Sequence, residues 1–253
     1  MELFTVDTGF FKLDGGAMFG VVPKSIWSRT NPSDENNLCP WAMRCLLVSD
    51  GNRLVLIDTG IGDKQDARFF SHYYLHGDAS LTKSLQQLGV HPTDITDVFL
   101  THLHFDHCGC NCNVCNACII VQQPEWDWAT QAEPQGGYIK TDYDTGQEIK
   151  TINGEYDIFG DGSVVCFPSY GHTPGHQSLR VETEKGQYVL TGDACYVKRT
   201  LDEMALPGVM HNREQTIKSL EVFRQMQANG ATIIYGHDPD FWPTLNKAPN
   251  NLA

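Results

Sequence analysis

The stretch Thr101-His102-Leu103-His104-Phe105-Asp106-His107 decides the expected fold, because it brings three imidazoles and a carboxylate into one short span. It follows the apolar run Asp97-Val98-Phe99-Leu100. An apolar run of this length is typical of a short buried strand. We therefore expect the histidines to lie on the loop that leaves the carboxyl end of that strand.

The residue types and their spacing predict a site for two metal ions. Imidazole is the commonest protein ligand for zinc-like cations, and a carboxylate adds an oxygen ligand. On an extended segment His102 and His104 point to the same side and can bind one ion. Past the strand the chain turns, so Asp106 and His107 can face a second ion. The competing interpretation is a set of ordinary surface histidines on a loop.

Three residues further along the chain favour the metal site over surface histidines. His172, Asp193 and His237 each directly follow a glycine, a few residues past an apolar run. Loops at strand ends can gather at one edge of a sandwich, and glycine allows close approach of the backbone. One histidine after a strand is more often an ordinary loop residue, but the complete set indicates a shared site.

Composition and charge limit the class of protein and its partners. The chain has 253 residues, of which 41% are hydrophobic and 19% charged, as in a globular protein. Its formal net charge of -13 argues against nucleic acid and anionic membrane surfaces as partners. The first residues form neither a basic segment nor a long apolar one, so we expect no signal peptide and no membrane span. We expect a cytoplasmic protein whose cysteines stay reduced.

The order of predicted strands and helices indicates an α/β fold. In chain order the elements are short alternating segments ending in a turn at 14–16, a hairpin at 44–58, a helix near 81–88, strands at 97–100, 119–121 and 163–167, a hairpin at 178–190, a helix at 212–229 and a strand at 231–235. Hairpins flanked by helices, given twice, predict an αββα sandwich, with two mixed β-sheets packed face to face and helices outside. No linker separates the halves, so we expect one domain, 1–253, with a loop or arm at about 23–40.

The motif H-x-H-x-D-H at 102–107, with the three later residues, resembles the metallo-β-lactamase superfamily. Within it the chain is most similar to the N-acyl-homoserine lactonases, which degrade bacterial quorum signals. The resemblance extends from about residue 44 to about residue 238, and its local matches are Asp58-x-Gly60, 171–179, 193–196 and 236–238. It implies the same αββα fold. The N-terminal arm is also similar to that of related organophosphate-hydrolysing members.

The resemblance also implies a role for each ligand. It places one divalent ion on His102, His104 and His172, the other on Asp106, His107 and His237, and Asp193 between them as a bridge. Both ions are expected to be zinc. The chemistry agrees independently, because two cations about 3.5–4 Å apart can share a hydroxide, lower the pKa of its parent water and polarise a carbonyl.

In the implied reaction the bridging hydroxide attacks the lactone carbonyl. Asp106 would then shuttle the proton to the departing ring oxygen. Tyr196 matches a family tyrosine that reaches the substrate carbonyl, and its alternative role is a core tyrosine with a satisfied hydroxyl. His176 matches a family histidine that is not a ligand, so packing or support of a ligand is expected there.

The segment 108–118 departs from the family, since it contains five cysteines where relatives have small and apolar residues. Its C-x-C and C-x-x-C spacings could bind a soft metal or an iron–sulfur cluster. We favour free thiols, because the segment is short and no second cysteine group with ligand spacing stands elsewhere. Cys39, Cys45 and Cys166 are predicted to be buried, and Cys195 to lie near the bridge.

Other candidate residues have less specific signals. An aromatic cluster either walls an acyl-chain pocket or packs a helix onto the core, and it consists of Phe69, Phe70, Tyr73, Tyr74 and Leu75. The remaining histidines are predicted to be surface residues, namely His72, His76, His91 and His211.

The function predicted from the sequence is a dinuclear-metal hydrolase that opens the lactone ring of N-acyl-homoserine lactones. One alternative is an organophosphate, aryl ester or thioester hydrolase on the same site. Another, of a different class, is a cysteine-rich metal-binding redox or sensor protein. The expected partner is a small-molecule lactone or ester, and the polar arm before Pro40 leaves a homodimer open.

Overall fold

A computed structural model describes residues 1–131 and 136–252. Its first sheet has six strands, which neighbour one another in chain order. They are β1 (Glu2–Asp14), β2 (Leu38–Ser49), β3 (Leu54–Ile57), β4 (Asp97–Phe99), β5 (Cys118–Gln122) and β6 (Ile149–Ile152). The first three strands pair antiparallel, and β3 to β6 pair parallel, so the sheet is mixed.

The second sheet has five strands and is also mixed. They are β7 (Tyr156–Asp157), β8 (Val164–Pro168), β9 (Gln177–Thr183), β10 (Gly186–Leu190) and β11 (Thr232–Ile234). The order across the sheet is β11, β10, β9, β8, β7, with β11 parallel to β10 and the other pairs antiparallel. Both predicted hairpins are present, as β2–β3 and β9–β10.

The helices are short except for the last one. They are α1 (Gly15–Phe19), α2 (Lys24–Trp27), α3 (Ala67–Ser71), α4 (Leu81–Gln87), α5 (Phe105–Cys108), α6 (Gln123–Ala129), α7 (Lys140–Tyr143), α8 (Lys198–Asp202) and α9 (Arg213–Ala228). The Asn212 side chain caps α9 by accepting a hydrogen bond from the Gln215 backbone N–H at 3.1 Å, as the sequence predicts. No helix in the described part of the chain is long and apolar enough to cross a membrane.

Successive side chains along a strand point to opposite faces of the sheet, and this alternation separates the layers of the fold. In β2, Leu46 and Val48 belong to the apolar core between the two sheets, while Cys45 and Leu47 face the opposite side, which α4 covers. On the outer face of the second sheet, α9 packs through residues that include Phe223. Helices therefore cover both outer faces of two packed sheets, and the predicted αββα sandwich is confirmed.

Three predictions for the N-terminal region need correction. The short alternating segments are a single strand, β1, with an irregular register between Asp7 and Phe10. The residues after it start a helix, since the Asp14 side chain accepts a hydrogen bond from the Gly16 backbone N–H at 2.7 Å. The segment at about 23–40, predicted as a loop or arm, contains α2 and the first residues of β2, and only Pro23 and 28–37 lie outside these elements.

Candidate metal centre

The predicted site residues come together at one edge of the sandwich, where the carboxyl ends of several strands meet. The His-x-His-x-Asp-His motif follows β4, and its last part forms α5. His172 follows β8, Asp193 lies on a short 3₁₀ turn after β10, and His237 follows β11. All seven predicted ligands belong to two groups whose nitrogen and oxygen atoms could bind a metal ion.

The first group contains three histidines. His104 Nδ1 lies 3.0 Å from His102 Nε2 and 3.1 Å from His172 Nε2. The Asp193 Oδ2 atom closes the group at 3.3 Å from His172 Nε2 and 3.8 Å from His102 Nε2. His104 thus presents Nδ1, whereas the other two histidines present Nε2.

The second group contains two histidines and a carboxylate. His107 Nε2 and His237 Nε2 are 3.3 Å apart, and Asp193 Oδ1 lies 3.1 Å and 2.8 Å from them, respectively. Asp106 Oδ2 lies 3.6 Å from each of the same two nitrogens. The two carboxylate oxygens of Asp193 therefore face different groups.

These distances fit metal ligands. A tetrahedral zinc ion with nitrogen ligands at about 2.0–2.1 Å separates those ligands by about 3.3 Å, close to the spacing of the ring nitrogens. The Asp193 Oδ1 atom is buried and forms no hydrogen bond within the described residues, although two ring nitrogens lie beside it. A buried acceptor without a hydrogen bond is costly unless a cation compensates it. The arrangement suits a dinuclear centre.

The far nitrogen of several histidines is occupied by a protein group, which orients the ring. Asp58 Oδ2 lies 2.8 Å from His107 Nδ1, and Asp58 also accepts hydrogen bonds from the backbone N–H and the hydroxyl of Thr101 at 2.8 and 2.9 Å. His237 Nδ1 lies 2.8 Å from the Ala42 carbonyl oxygen. Such contacts place the proton on Nδ1 and leave Nε2 free to bind a metal. The early Asp-x-Gly element therefore supports ligands without being one.

Burial and charge keep the first group in its metal-binding form. Burial, with the neighbouring histidines, lowers the pKa of His102 and His104 well below the usual value. Burial also raises the pKa of Asp193, but His237, His107 and His172 outweigh it, so that pKa is well below its usual range. Neutral imidazoles beside an ionised carboxylate are the protonation states that metal binding requires.

A cavity of about 360 Å³ opens above the two groups. Its polar lining includes Asp106, Asp193 and Tyr196, and its apolar lining combines aromatic and aliphatic side chains. The apolar wall includes Phe11, Leu13, Met18, Phe69, Tyr73, Phe105 and Ile139. A small set of polar groups at the base of an apolar cavity is typical of a small-molecule site.

A family model described as the metallo-beta-lactamase superfamily matches residues 43–237. The chain belongs to this superfamily. It is 38% identical over 181 residues to an N-acyl homoserine lactonase, AttM, of Azorhizobium caulinodans. The match covers 68% of this chain and 69% of the relative. It is 30% identical to an N-acyl homoserine lactonase of Bacillus sp, over 85% of this chain and 87% of the relative.

A solved structure of a quorum-quenching N-acyl homoserine lactone lactonase has the same fold. Its TM-score is 0.82 at 25% identity, and the match covers 99% of this chain and 97% of that chain. The resemblance predicted from the motifs is confirmed at the level of the superfamily and of its lactonase relatives.

The aromatic cluster at 69–75 divides between the two roles considered for it. Phe69 and Tyr73 line the cavity of this superfamily member, and Phe70 packs beside them. Tyr74 and Leu75 are exposed and do not line that cavity. The four histidines predicted to be surface residues, His72, His76, His91 and His211, are all exposed.

Tyr196 lies in the cavity wall and is almost fully buried. Its hydroxyl lies 3.1 Å from His172 Nδ1 and donates to the Val209 carbonyl oxygen at 3.3 Å. His176 supports the bridging residue, because its Nε2 accepts a hydrogen bond from the Asp193 backbone N–H at 3.0 Å. It belongs to neither ligand group.

The five cysteines at 108–118 do not form a metal site in the described residues, since both candidate groups consist of His and Asp only. Cys108 and Cys110 are buried, Cys112 and Cys115 are exposed, and Cys118 is half-buried. Cys39, Cys45, Cys166 and Cys195 are buried.

Sequence reasoning missed Glu125, which lies at the start of α6 and is fully buried beside the first ligand group. No residue pattern around it signals this position, because its partners are distant in sequence.

Proposed function

We propose that this chain is a dinuclear-metal hydrolase that opens the lactone ring of N-acyl-homoserine lactones. The observation that carries the proposal is the division of Asp193 between two ligand groups at the base of a largely apolar cavity. The curated relatives with 38% and 30% identity are named N-acyl homoserine lactonases, which supports the choice of substrate.

In this proposal His102, His104 and His172 bind one ion, Asp106, His107 and His237 bind the other, and Asp193 bridges them. We propose zinc for both ions, because the donors are imidazole nitrogens and carboxylate oxygens, which suit it. Two such ions would lower the pKa of a water molecule and polarise a carbonyl oxygen.

The chain's own residues have distinct tasks in the reaction. Ring opening adds water to the lactone carbonyl carbon, breaks the bond from that carbon to the ring oxygen and transfers a proton to the ring oxygen. Asp106, which lines the cavity, accepts the proton from the water and passes it to the departing oxygen. The Tyr196 hydroxyl, which now donates to the Val209 carbonyl, turns to donate to the substrate carbonyl oxygen.

The apolar wall of the cavity binds the acyl chain, which is the end of the substrate opposite the lactone ring. Phe69, Tyr73 and Phe105 form a continuous set of ring contacts, with centroids 4.8 to 5.2 Å apart between Phe105 and the other two. An acyl chain that packs against these rings is removed from water, and each buried methylene contributes about 0.8 kcal/mol to the free energy of binding. The wall therefore favours acylated lactones over small unsubstituted ones.

A substrate panel tests the proposal. The purified protein, at a fixed metal content, is compared on N-acyl-homoserine lactones, phosphotriesters, aryl esters and thioesters by kcat/KM. The lactones are expected to give the highest value. A higher value for any other class would overturn the lactonase assignment, and a visible chromophore from an iron–sulfur cluster would support the redox alternative instead.

We also propose a cytoplasmic location. All nine cysteines are free, and two of them are exposed, which fits a reducing compartment. A homodimer stays a prediction, and measurement of the mass in solution would test it.

A further inference from the structure

The Glu125 side chain is completely buried, yet it belongs to neither ligand group. Its Oε1 atom accepts hydrogen bonds from the Leu103 backbone N–H at 3.0 Å and from the Tyr138 hydroxyl at 2.8 Å. Its Oε2 atom accepts from the Thr173 hydroxyl at 2.6 Å and from the Gly175 backbone N–H at 3.1 Å. One carboxylate therefore binds four donors from three separate segments.

Each of these segments carries or contacts a histidine of the first group. Leu103 lies between His102 and His104 in the chain. The Tyr138 ring packs edge-on against the His104 ring, with centroids 4.7 Å apart. Thr173 directly follows His172, so the two remaining donors fix the loop that carries the third histidine.

The close contact between Glu125 and the loop after His172 requires a glycine at position 175. A Cβ atom at Gly175 would lie 2.1 Å from the Glu125 backbone nitrogen and 2.5 Å from its Cβ, so only glycine permits the approach. Burial raises the pKa of Glu125, while the four hydrogen bonds oppose that rise. A buried carboxylate with four donors is costly to disrupt, because removing it leaves backbone N–H groups without partners.

The second group has a different anchor. Asp58 binds the backbone N–H and hydroxyl of Thr101 and faces the His107 ring. The same Thr101 hydroxyl lies 3.1 Å from His102 Nδ1, so Asp58 also reaches the first group through Thr101. The four donors to Glu125, by contrast, all lie on segments that carry or contact a histidine of the first group.

We propose that Glu125 is a positioning residue that sets the metal affinity of the three-histidine group, His102, His104 and His172, without setting that of the other group. The proposal rests on the dinuclear site of the proposed function. It assigns Glu125 no contact with substrate or metal.

The variant Glu125→Gln tests this with little change in volume. An amide oxygen can accept two of the four hydrogen bonds, but its NH₂ group then faces either the Leu103 or the Gly175 backbone N–H, and two donors cannot pair. Support of a ligand typically accounts for 10- to 100-fold in metal affinity. We therefore expect one of two metals to leave Glu125→Gln at roughly 10- to 100-fold lower chelator concentration than in the natural protein.

The measurement is metal content per chain, by elemental analysis, across a chelator series. Asp142→Asn is the matched control, because Asp142 is also a buried carboxylate but pairs with Lys64 and Gln65. It is expected to keep both metals even where its Tm falls. Equal loss of both metals from Glu125→Gln, or a lower Tm with unchanged metal retention, would overturn the proposal.

Two further backgrounds identify which metal is lost. In His172→Ala, where the three-histidine group is already incomplete, adding Glu125→Gln should remove little more metal. In His237→Ala, where the remaining metal lies in that group, adding Glu125→Gln should remove it. If adding Glu125→Gln removed the same amount of metal in both backgrounds, the assignment of Glu125 to the three-histidine group would be wrong.

The proposed function and this inference can fail separately. A natural protein with both metals but no activity on lactones would end the lactonase proposal, while the metal losses would still test Glu125. A lactonase whose two metals respond equally to Glu125→Gln would end only the inference. A natural protein that binds fewer than two metals would overturn both.

Discussion

Residues 102–107 and the cysteine segment 108–118 are neighbouring stretches, and both are rich in side chains that bind metals, but only the first is part of a metal-binding geometry. The difference lies in what the rest of the fold brings to each stretch. The histidines meet Asp193 and two more histidines from loops that follow strands of the second sheet. Cys108 and Cys110 face the apolar core below α4, and Cys112 and Cys115 face solvent.

Protonation strengthens the contrast. Thiolate, not thiol, is the metal ligand. Burial raises the pKa of Cys108 well above its usual value and that of Cys110 to about 12. Burial lowers the pKa of His102 and His104, which leaves them as neutral ligands. The same physical effect therefore favours metal binding by His102 and His104 and opposes it at Cys108 and Cys110.

The largest expected effect is that of Asp193→Ala, which removes the contact common to both ligand groups. We expect loss of metal from both groups and a fall in kcat/KM of at least about a thousandfold, the upper range for loss of a principal electrostatic group. Elemental analysis and steady-state kinetics measure the two effects. Full turnover with both metals retained would show that Asp193 is not the bridge.

Asp106→Asn should have a smaller effect, because it touches only the second group. The amide keeps the shape of the side chain but cannot accept and pass on a proton, which typically costs about 10²–10⁴ in rate. We expect about a hundredfold lower kcat/KM, with the first metal retained. A larger loss than in Asp193→Ala would reverse the proposed roles.

Tyr196→Phe distinguishes a catalytic hydroxyl from a structural one. A metal ion shares the stabilisation of the carbonyl oxygen, so we expect a loss of roughly 10- to 100-fold in kcat/KM, equivalent to about 1.4–2.7 kcal/mol. Metal content and Tm should change little, because phenylalanine keeps the ring and its packing. Since the hydroxyl also contacts His172 and Val209, a fall in Tm with unchanged kcat/KM would assign it to structure alone.

The smallest effect is expected from substitutions in the cysteine segment. Cys110→Ala combined with serine at Cys112, Cys115 and Cys118 should leave the metal content near two and kcat/KM nearly unchanged. A moderate decrease in stability, of about 1 kcal/mol, is expected from the buried Cys110. Loss of a third metal, or of a coloured cluster, would show that the thiols bind a cofactor.

Much of the fold could be predicted from the sequence, because the signals are local. The apolar alternation of β2 and β3 defines a hairpin, and Asn212 marks the start of α9. The residues of the two candidate groups could be predicted as well, since each follows an apolar run that forms a buried strand. β1 cannot be predicted as one long strand, because its pairing with β2 is not visible in its own residues.

The types of donor at the site, and their positions after strand ends, follow from the sequence alone. The way in which these donors are shared between the two groups and supported depends on the packing of the folded chain. The two oxygens of Asp193 face different groups because the loops of both sheets meet at one edge. Glu125 reaches the Thr173 hydroxyl across 48 positions of the chain, a contact set by close packing of α6 against the ligand loop. Periodicity records which face of an element is buried, but the partner it meets depends on packing between elements distant in sequence.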